Sequence, residues 1–231
     1  MIRVCLAGAT GWVGRPLAGA IQESGDLALV AAVARRAAGE RIGEIEIRGS
    51  VAEALRTPSD VFVDYTSAAA VRDNVLAAIQ AGRHVVVGSS GLTDEDFAAI
   101  DFAAHAKNVG VIAVGNFAIT AALMQRFAVE AAKYIEHFEI IDSAYLGKMD
   151  APSGTARELA SRLGIEPEKV HSLRLPGYTI GLEIRFGKED ERLTISYDGG
   201  PGAKPYIDGT LLAIRKAPLI VGVVRGMDRI L

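Results

Sequence analysis

Ile2-Arg3-Val4-Cys5-Leu6-Ala7, running into Gly8-Ala9-Thr10-Gly11-Trp12-Val13-Gly14, is the stretch that decides the fold. A short apolar run enters a turn with glycine at every third position, after which Leu17 and Ile21 recur at helical spacing. Strand, glycine turn and helix in that order are what dinucleotide binding requires. The glycines let the backbone approach a pyrophosphate, and the first N–H groups of the helix face its negative charge. A tight turn without a ligand is the alternative.

Working outward, Leu27–Val33 reads as a second strand, followed by a loop containing Gly39 and Gly43 and a short helix from Val51 to Arg56. Val61–Asp64 has the continuous apolar character of a strand buried on both faces. Val71, Val75 and Ile79 predict a helix over Ala68–Ala81, closed by Gly82 before a strand at His84–Val87. Thr93-x-x-Asp96 is a capping box opening the helix of Phe97, Ile100 and Ala104, and a strand follows at Val109–Val114. The first 115 residues therefore predict a doubly wound parallel α/β unit. From Ile119 the texture changes. A helix to Tyr134, a strand at Phe138–Ser143, a polar loop and a helix over 154–163 come first. Strands Thr179–Phe186 and Arg192–Tyr197 then flank the charged turn Lys188-Glu189-Asp190-Glu191. This predicts an α+β domain with an open mixed or antiparallel sheet. A helix from Tyr206 to Lys216 would return to the first domain, since Leu219–Val224 is too short to stand alone. The expected division is 1–117 with 206–231 against 118–205. The junction at Asn116-Phe117 has no flexible linker, so the domains are expected to meet across a cleft.

Composition narrows the function. Half of the 231 residues are apolar and 23% are charged, which excludes a disordered chain. A net charge of −3 and a pI of about 5.9 give no overall attraction to nucleic acid or to an anionic membrane surface. No apolar stretch reaches membrane-spanning length, and with a strand read from Ile2 no signal peptide is expected. Cys5, the only cysteine, lies in a strand and cannot form an internal disulfide. A soluble cytoplasmic protein without a metal site is expected.

The end of the second strand selects the dinucleotide. An acidic residue there would bind a ribose 2′-OH, but the sequence is Val33-Ala34-Arg35-Arg36. Two guanidiniums suit a 2′-phosphate, so NADPH is preferred and NADH possible; solvated loop charges are the other reading. Asp64-Tyr65-Thr66 and Gly88-Ser89-Ser90-Gly91 follow strands on the edge where ligands lie, with Asp64 read either as a cap or as a ligand contact. The strongest local signal is Lys148-Met149-Asp150-Ala151-Pro152-Ser153-Gly154-Thr155-Ala156. Ser153, Gly154 and Thr155 open a helix suited to binding a substrate carboxylate. Lys148 beside them could hold that anion or give a proton to an imine; a capped helix beside a solvated lysine is the bland reading.

With these residues in view, the chain resembles the dihydrodipicolinate reductase family over nearly its whole length. The resemblance rests on the glycine turn, Asp64-Tyr65-Thr66, Gly88-Ser89-Ser90-Gly91, Gly115-Asn116-Phe117 and above all Lys148 with Asp150–Ala156. Arg174-Leu175-Pro176-Gly177 and Tyr206–Gly209 add to it. It implies a Rossmann domain completed by the C-terminal helix, and an α+β domain whose open sheet builds a homotetramer. It also implies NAD(P)H-dependent reduction of a carboxylated cyclic imine, 4-hydroxy-tetrahydrodipicolinate, in lysine and diaminopimelate synthesis. The cofactor would meet Gly8, Ala9, Thr10, Gly11, Trp12, Val13, Arg35, Gly88, Ser89, Ser90, Val114, Gly115, Asn116 and Phe117. Arg36 is added from its own position beside Arg35. The substrate's carboxylates would meet Gly154 and Thr155, next to Ser153, with Lys148 as proton donor.

One departure stands out. The family carries two histidines in a pattern like E-x-H-H-x-x-K, whereas this chain reads Asp142-Ser143-Ala144-Tyr145-Leu146-Gly147-Lys148. Ala144 cannot transfer a proton, and Tyr145 keeps a neutral hydroxyl able to touch substrate or relay a proton, with packing as the other reading. Alternative functions are therefore an imine reductase or amine dehydrogenase acting on another substrate, and a non-catalytic NADPH-binding protein.

Overall fold

The computed structural model describes residues 1–231, the side chain of residue 167 excepted. Its contacts divide the chain into one unit of residues 1–117 with 206–231 and another of residues 118–205. In chain order the first unit holds β1 (Ile2–Ala7), α1 (Gly14–Glu23), β2 (Leu27–Val33), β3 (Arg41–Ile42), β4 (Ile45–Arg48) and α2 (Val51–Ala54). β5 (Val61–Asp64), α3 (Val71–Gln80), β6 (His84–Val87), α4 (Asp94–Lys107) and β7 (Gly110–Ala113) follow. The second unit holds α5 (Ile119–Ala132), β8 (His137–Ala144), α6 (Gly154–Arg162), β9 (His171–Arg174), β10 (Ile180–Lys188) and β11 (Glu191–Gly199). α7 (Lys204–Lys216) and β12 (Gly222–Arg225) take the chain back to the first.

The first unit is built on an eight-stranded sheet ordered β12-β7-β6-β5-β1-β2-β4-β3. All neighbouring pairs are parallel except the β3–β4 edge. Strand order reverses around β1, with β2 on one side and β5 on the other, which is the switch point where such sheets bind ligands. Val4, Cys5, Leu6, Phe62, Val63, Val85, Val86, Val111 and Ile112 are wholly buried, the signature of a sheet covered on both faces. Burial pushes the Cys5 thiol up to about 12, which makes it unreactive at neutral pH. Arg215 of α7 grips Asp26 with a fork at 2.7 and 2.8 Å, tying the returning helix to the start of β2.

In the second unit the sheet is ordered β11-β10-β8-β9. Ile140, Asp142 and Ala144 of β8, Leu182, Ile184 and Phe186 of β10 and Tyr197 of β11 form its buried face. Here α5 lies against β10 and β11, and α6 against β8.

The structure corrects several expectations. The loop with Gly39 and Gly43 contains β3 and β4, whose two and four residues are too short to show a period. The helix expected over Val51–Arg56 ends at Ala54, and the one expected from Ala68 begins at Val71. Of the two forms expected for the second sheet, the mixed one is present, because β9 pairs parallel with β8. The capping box at Thr93 and Asp96 is present in both directions, at 3.2 and 3.0 Å.

Candidate active site

The glycine turn joins β1 to α1 under tight steric demand. Gly8 has φ +83°, and a Cβ there would lie 2.1 Å from the Tyr65 carbonyl oxygen. A Cβ on Gly14 would lie 2.0 Å from the Gly8 carbonyl oxygen, so α1 packs against the turn itself. No side chain caps α1 and its first turn carries no acid, which leaves its positive end open to an anion. Ala9 is buried, Thr10 and Val13 are half-buried, and Gly11 and Trp12 are exposed. The Trp12 ring meets Tyr206 edge-on at 5.5 Å. Beyond β2, Arg35 and Arg36 are exposed in a 3₁₀ turn, with no ion-pair partner among the described residues.

Two loops at the same edge are locked together by Asp64, which is wholly buried. Its Oδ1 accepts from the Thr66 N–H (3.0 Å), the Thr66 hydroxyl (2.7 Å) and the Ser89 hydroxyl (2.6 Å), and its Oδ2 from Asn74 (2.9 Å). It does not cap α3, whose N-cap residue is Ala70; it joins the loops after β5 and β6. The Tyr65 ring lies over Gly88, where a Cβ would be 2.2 Å from it. Thr210 donates its hydroxyl to the Tyr206 carbonyl (2.7 Å), so at the 2.7 Å contact between Tyr65 and Thr210 the phenol is the donor. Burial pushes that phenol above its usual range, keeping it a donor. Ser90 and Gly115 are exposed, whereas Val114, Asn116 and Phe117 are buried.

In the second unit, Ser153 caps α6 by accepting from the Ala156 N–H at 3.3 Å, and the first turn of α6 has no acid. Gly154 is exposed there and Thr155 half-buried. Lys148 Nζ lies 2.5 Å from Asp150 Oδ1, and Arg157 approaches the other oxygen at 4.0 Å. Burial raises the Asp150 carboxyl, but the hydrogen bond and charge of Lys148, with help from Arg157, outweigh it and hold the group below the usual carboxylate range. Tyr145 follows β8 with its side chain half exposed, while Ala144 is wholly buried.

A family model for the dihydrodipicolinate reductase N-terminus matches residues 2–117, and one for the C-terminus matches residues 120–231. The chain belongs to the dihydrodipicolinate reductase family. The 4-hydroxy-tetrahydrodipicolinate reductase of Desulfitobacterium hafniense is 36% identical over 264 aligned positions that take in all of this chain and 98% of that one. The dipicolinate-bound dihydrodipicolinate reductase of Paenisporosarcina sp. TG-14 superposes with a TM-score of 0.90 at 27% identity, covering 100% of both chains. The amine dehydrogenase of Mycobacterium smegmatis (TM-score 0.74, 14% identity, covering 99% of this chain and 95% of that one) shares the fold. As a dihydrodipicolinate reductase, the chain is an oxidoreductase with a small-molecule substrate and a nicotinamide cofactor. Its glycine cradle and uncapped α1 fit that cofactor. No helix is long and apolar enough to cross a membrane among the described residues.

Asp142 and Arg174 are the site residues that sequence reading left without a role. Asp142 is 1% exposed on the inward face of β8. Its Oδ2 accepts from the Ser153 N–H at 2.8 Å and from Arg174 at 2.7 Å, and the same Arg174 nitrogen donates to the Asp150 carbonyl at 2.7 Å. One buried pair thus holds both ends of the segment between Asp150 and Ser153, next to Lys148. A carboxylate at an inward strand position was the available signal.

Proposed function

We propose that this chain reduces 4-hydroxy-tetrahydrodipicolinate to tetrahydrodipicolinate, with NADPH preferred over NADH. The observation that carries this reading is Lys148, 18% exposed and paired to Asp150, in the same loop that leads to the Ser153-capped start of α6. Reduced nicotinamide supplies a hydride when bound. The chain's own residues do the rest. Gly8–Val13 with α1 take the pyrophosphate, Arg35 and Arg36 the 2′-phosphate, and Gly88–Ser90 and Val114–Phe117 the remaining nucleotide. Gly154 and Thr155, with the Ser153 hydroxyl, bind a carboxylate. Lys148, held beside Asp150, delivers the proton to the substrate. A dicarboxylate reaching this loop competes with Asp150 for the ammonium, which turns the lysine from its resting partner toward the substrate. The proposed assembly is a homotetramer built through the second unit's open sheet, and the proposed location is the cytoplasm, in keeping with a lone buried thiol.

A second reading, reduction of a different cyclic imine or amination of a ketoacid, is favoured by one observation. Where the resemblance calls for two histidines there stand a wholly buried alanine, Ala144, and a half-exposed phenol, Tyr145. NADPH oxidation by the purified protein, with freshly made dihydrodipicolinate synthase product and with a panel of cyclic imines and ketoacids plus ammonia, separates the two. Turnover of the synthase product that is lost in Lys148→Ala supports the first reading. An inert synthase product beside an active imine replaces it with the second. NADPH binding with no turnover of any substrate overturns both in favour of a non-catalytic protein. Slower turnover in Tyr145→Phe at unchanged KM would assign the phenol a proton-relay role.

A further inference from the structure

The segment read in the sequence as a plain loop brings a third arginine to the corner where the dinucleotide's ribose is selected. β4 runs parallel to β2 in a register that pairs Ala32 with Ile47 and Val33 with Arg48. The Ala34 N–H then donates to the Arg48 carbonyl at 3.1 Å, so Arg48 sits beside the residue that immediately precedes Arg35 and Arg36. The connection is held along its length. The Gly39 N–H donates to the Ile47 carbonyl at 2.9 Å, the Ile47 N–H donates to the Glu40 carbonyl at 2.8 Å, and Ile47 itself is 2% exposed. With Ile47 anchored in the core, strand alternation sends Glu46 and Arg48 out together on the opposite face. There Arg48 is 45% exposed and its one ion-pair partner among the described residues is Glu46, at 2.9 Å and equally exposed. Arg35 and Arg36 have no such partner.

We infer that Arg48 is a further specificity-determining residue for the nucleotide, a third guanidinium for a ribose 2′-phosphate, and that Glu46 restrains it until that phosphate arrives. This rests on the NADPH preference proposed above and extends it to a residue outside the turn that follows β2. Exposed carboxylate–arginine pairs are weak, whereas a phosphate offers more charge and several acceptor oxygens, so exchanging Glu46 for a phosphate favours the bound state. A ribose carrying only a 2′-OH offers no comparable gain, and Arg48 then stays with Glu46.

Calorimetric titration of the purified protein with NADPH and, separately, with NADH reads this without any substrate. The expected result for Arg48→Ala is NADPH affinity lowered about tenfold with NADH affinity within about twofold of wild type, the usual scale for one charge-assisted contact. Arg48→Lys should recover part of the loss, keeping the charge without the fork. Glu46→Gln should tighten NADPH about twofold and leave NADH unchanged, the scale of a released surface pair. Equal losses for both nucleotides in Arg48→Ala, or no loss for either, overturn the inference. If wild type prefers NADPH and Arg35→Ala abolishes that preference while Arg48→Ala does not touch it, the inference fails and the NADPH reading survives. If wild type shows no preference, both fail together.

Discussion

Asp142 and Arg174, 32 residues apart in sequence, meet at 2.7 Å inside the second unit, the carboxylate 1% and the guanidinium 14% exposed. Removing one member of a buried pair strands the other charge, while the pair itself adds little over well-packed apolar residues. Asp142→Ala is therefore expected to cost about 3 kcal/mol in denaturant unfolding. It should also free the Ser153 N–H and weaken capture of a carboxylate, read as a higher KM for substrate. A cost below about 1 kcal/mol would place the pair among surface-like contacts and remove its positioning role.

Lys148→Ala is expected to lower kcat by about 10²- to 10³-fold, the range for loss of a positioned general acid. NADPH affinity by calorimetry should stay at the wild-type value, since the nucleotide is assigned to residues of the first unit. A drop in kcat of only a few fold would move the proton donor elsewhere, with Tyr145 the next residue to substitute.

The Asp150 carboxyl lies below the usual carboxylate range, so its sign in stability is settled. A depressed folded pKa contributes stability above the ordinary carboxylate value, which is lost as pH falls through the lowered one. Wild type and Asp150→Asn should differ most near neutrality and converge below about pH 4. Asp150 is 39% exposed, so the plateau difference should stay near or below about 1 kcal/mol. Unfolding curves collected across that range test it, and a difference that does not change with pH would mean the Lys148 contact is not what lowers the group.

Gly14 and Gly19 lie on the same helix and should respond oppositely to alanine. A Cβ at Gly14 would be 2.0 Å from the Gly8 carbonyl oxygen, whereas one at Gly19 meets nothing within 4 Å. Gly14→Ala is expected to destabilise by about 1–3 kcal/mol and to weaken NADPH binding by displacing the turn. Gly19→Ala should stabilise by about 0.5–1 kcal/mol through helix propensity alone and leave binding intact. Thermal unfolding with and without NADPH distinguishes them, and similar effects at the two positions would deny the close approach at Gly14.

What the sequence determined by itself was everything carried by local signals. The glycine turn before α1, the apolar runs of β5, β6 and β7, the capping box at Thr93 and Asp96, and Lys148 ahead of a Ser153-capped helix all declare themselves within a few neighbouring residues. Tertiary structure alone decided the rest. β3 and β4 are too short to carry a hydrophobic period, and the parallel pairing of β9 with β8 joins segments about thirty residues apart. Asp64 was legible as the end of β5, but two of its four donors, from Asn74 and Ser89, reach it only because α3 and β6 pack beside that strand. Asp142 with Arg174, and Arg48 beside Ala34, are likewise products of strand register. A register is set by pairing across the sheet, and no residue's immediate neighbours report it.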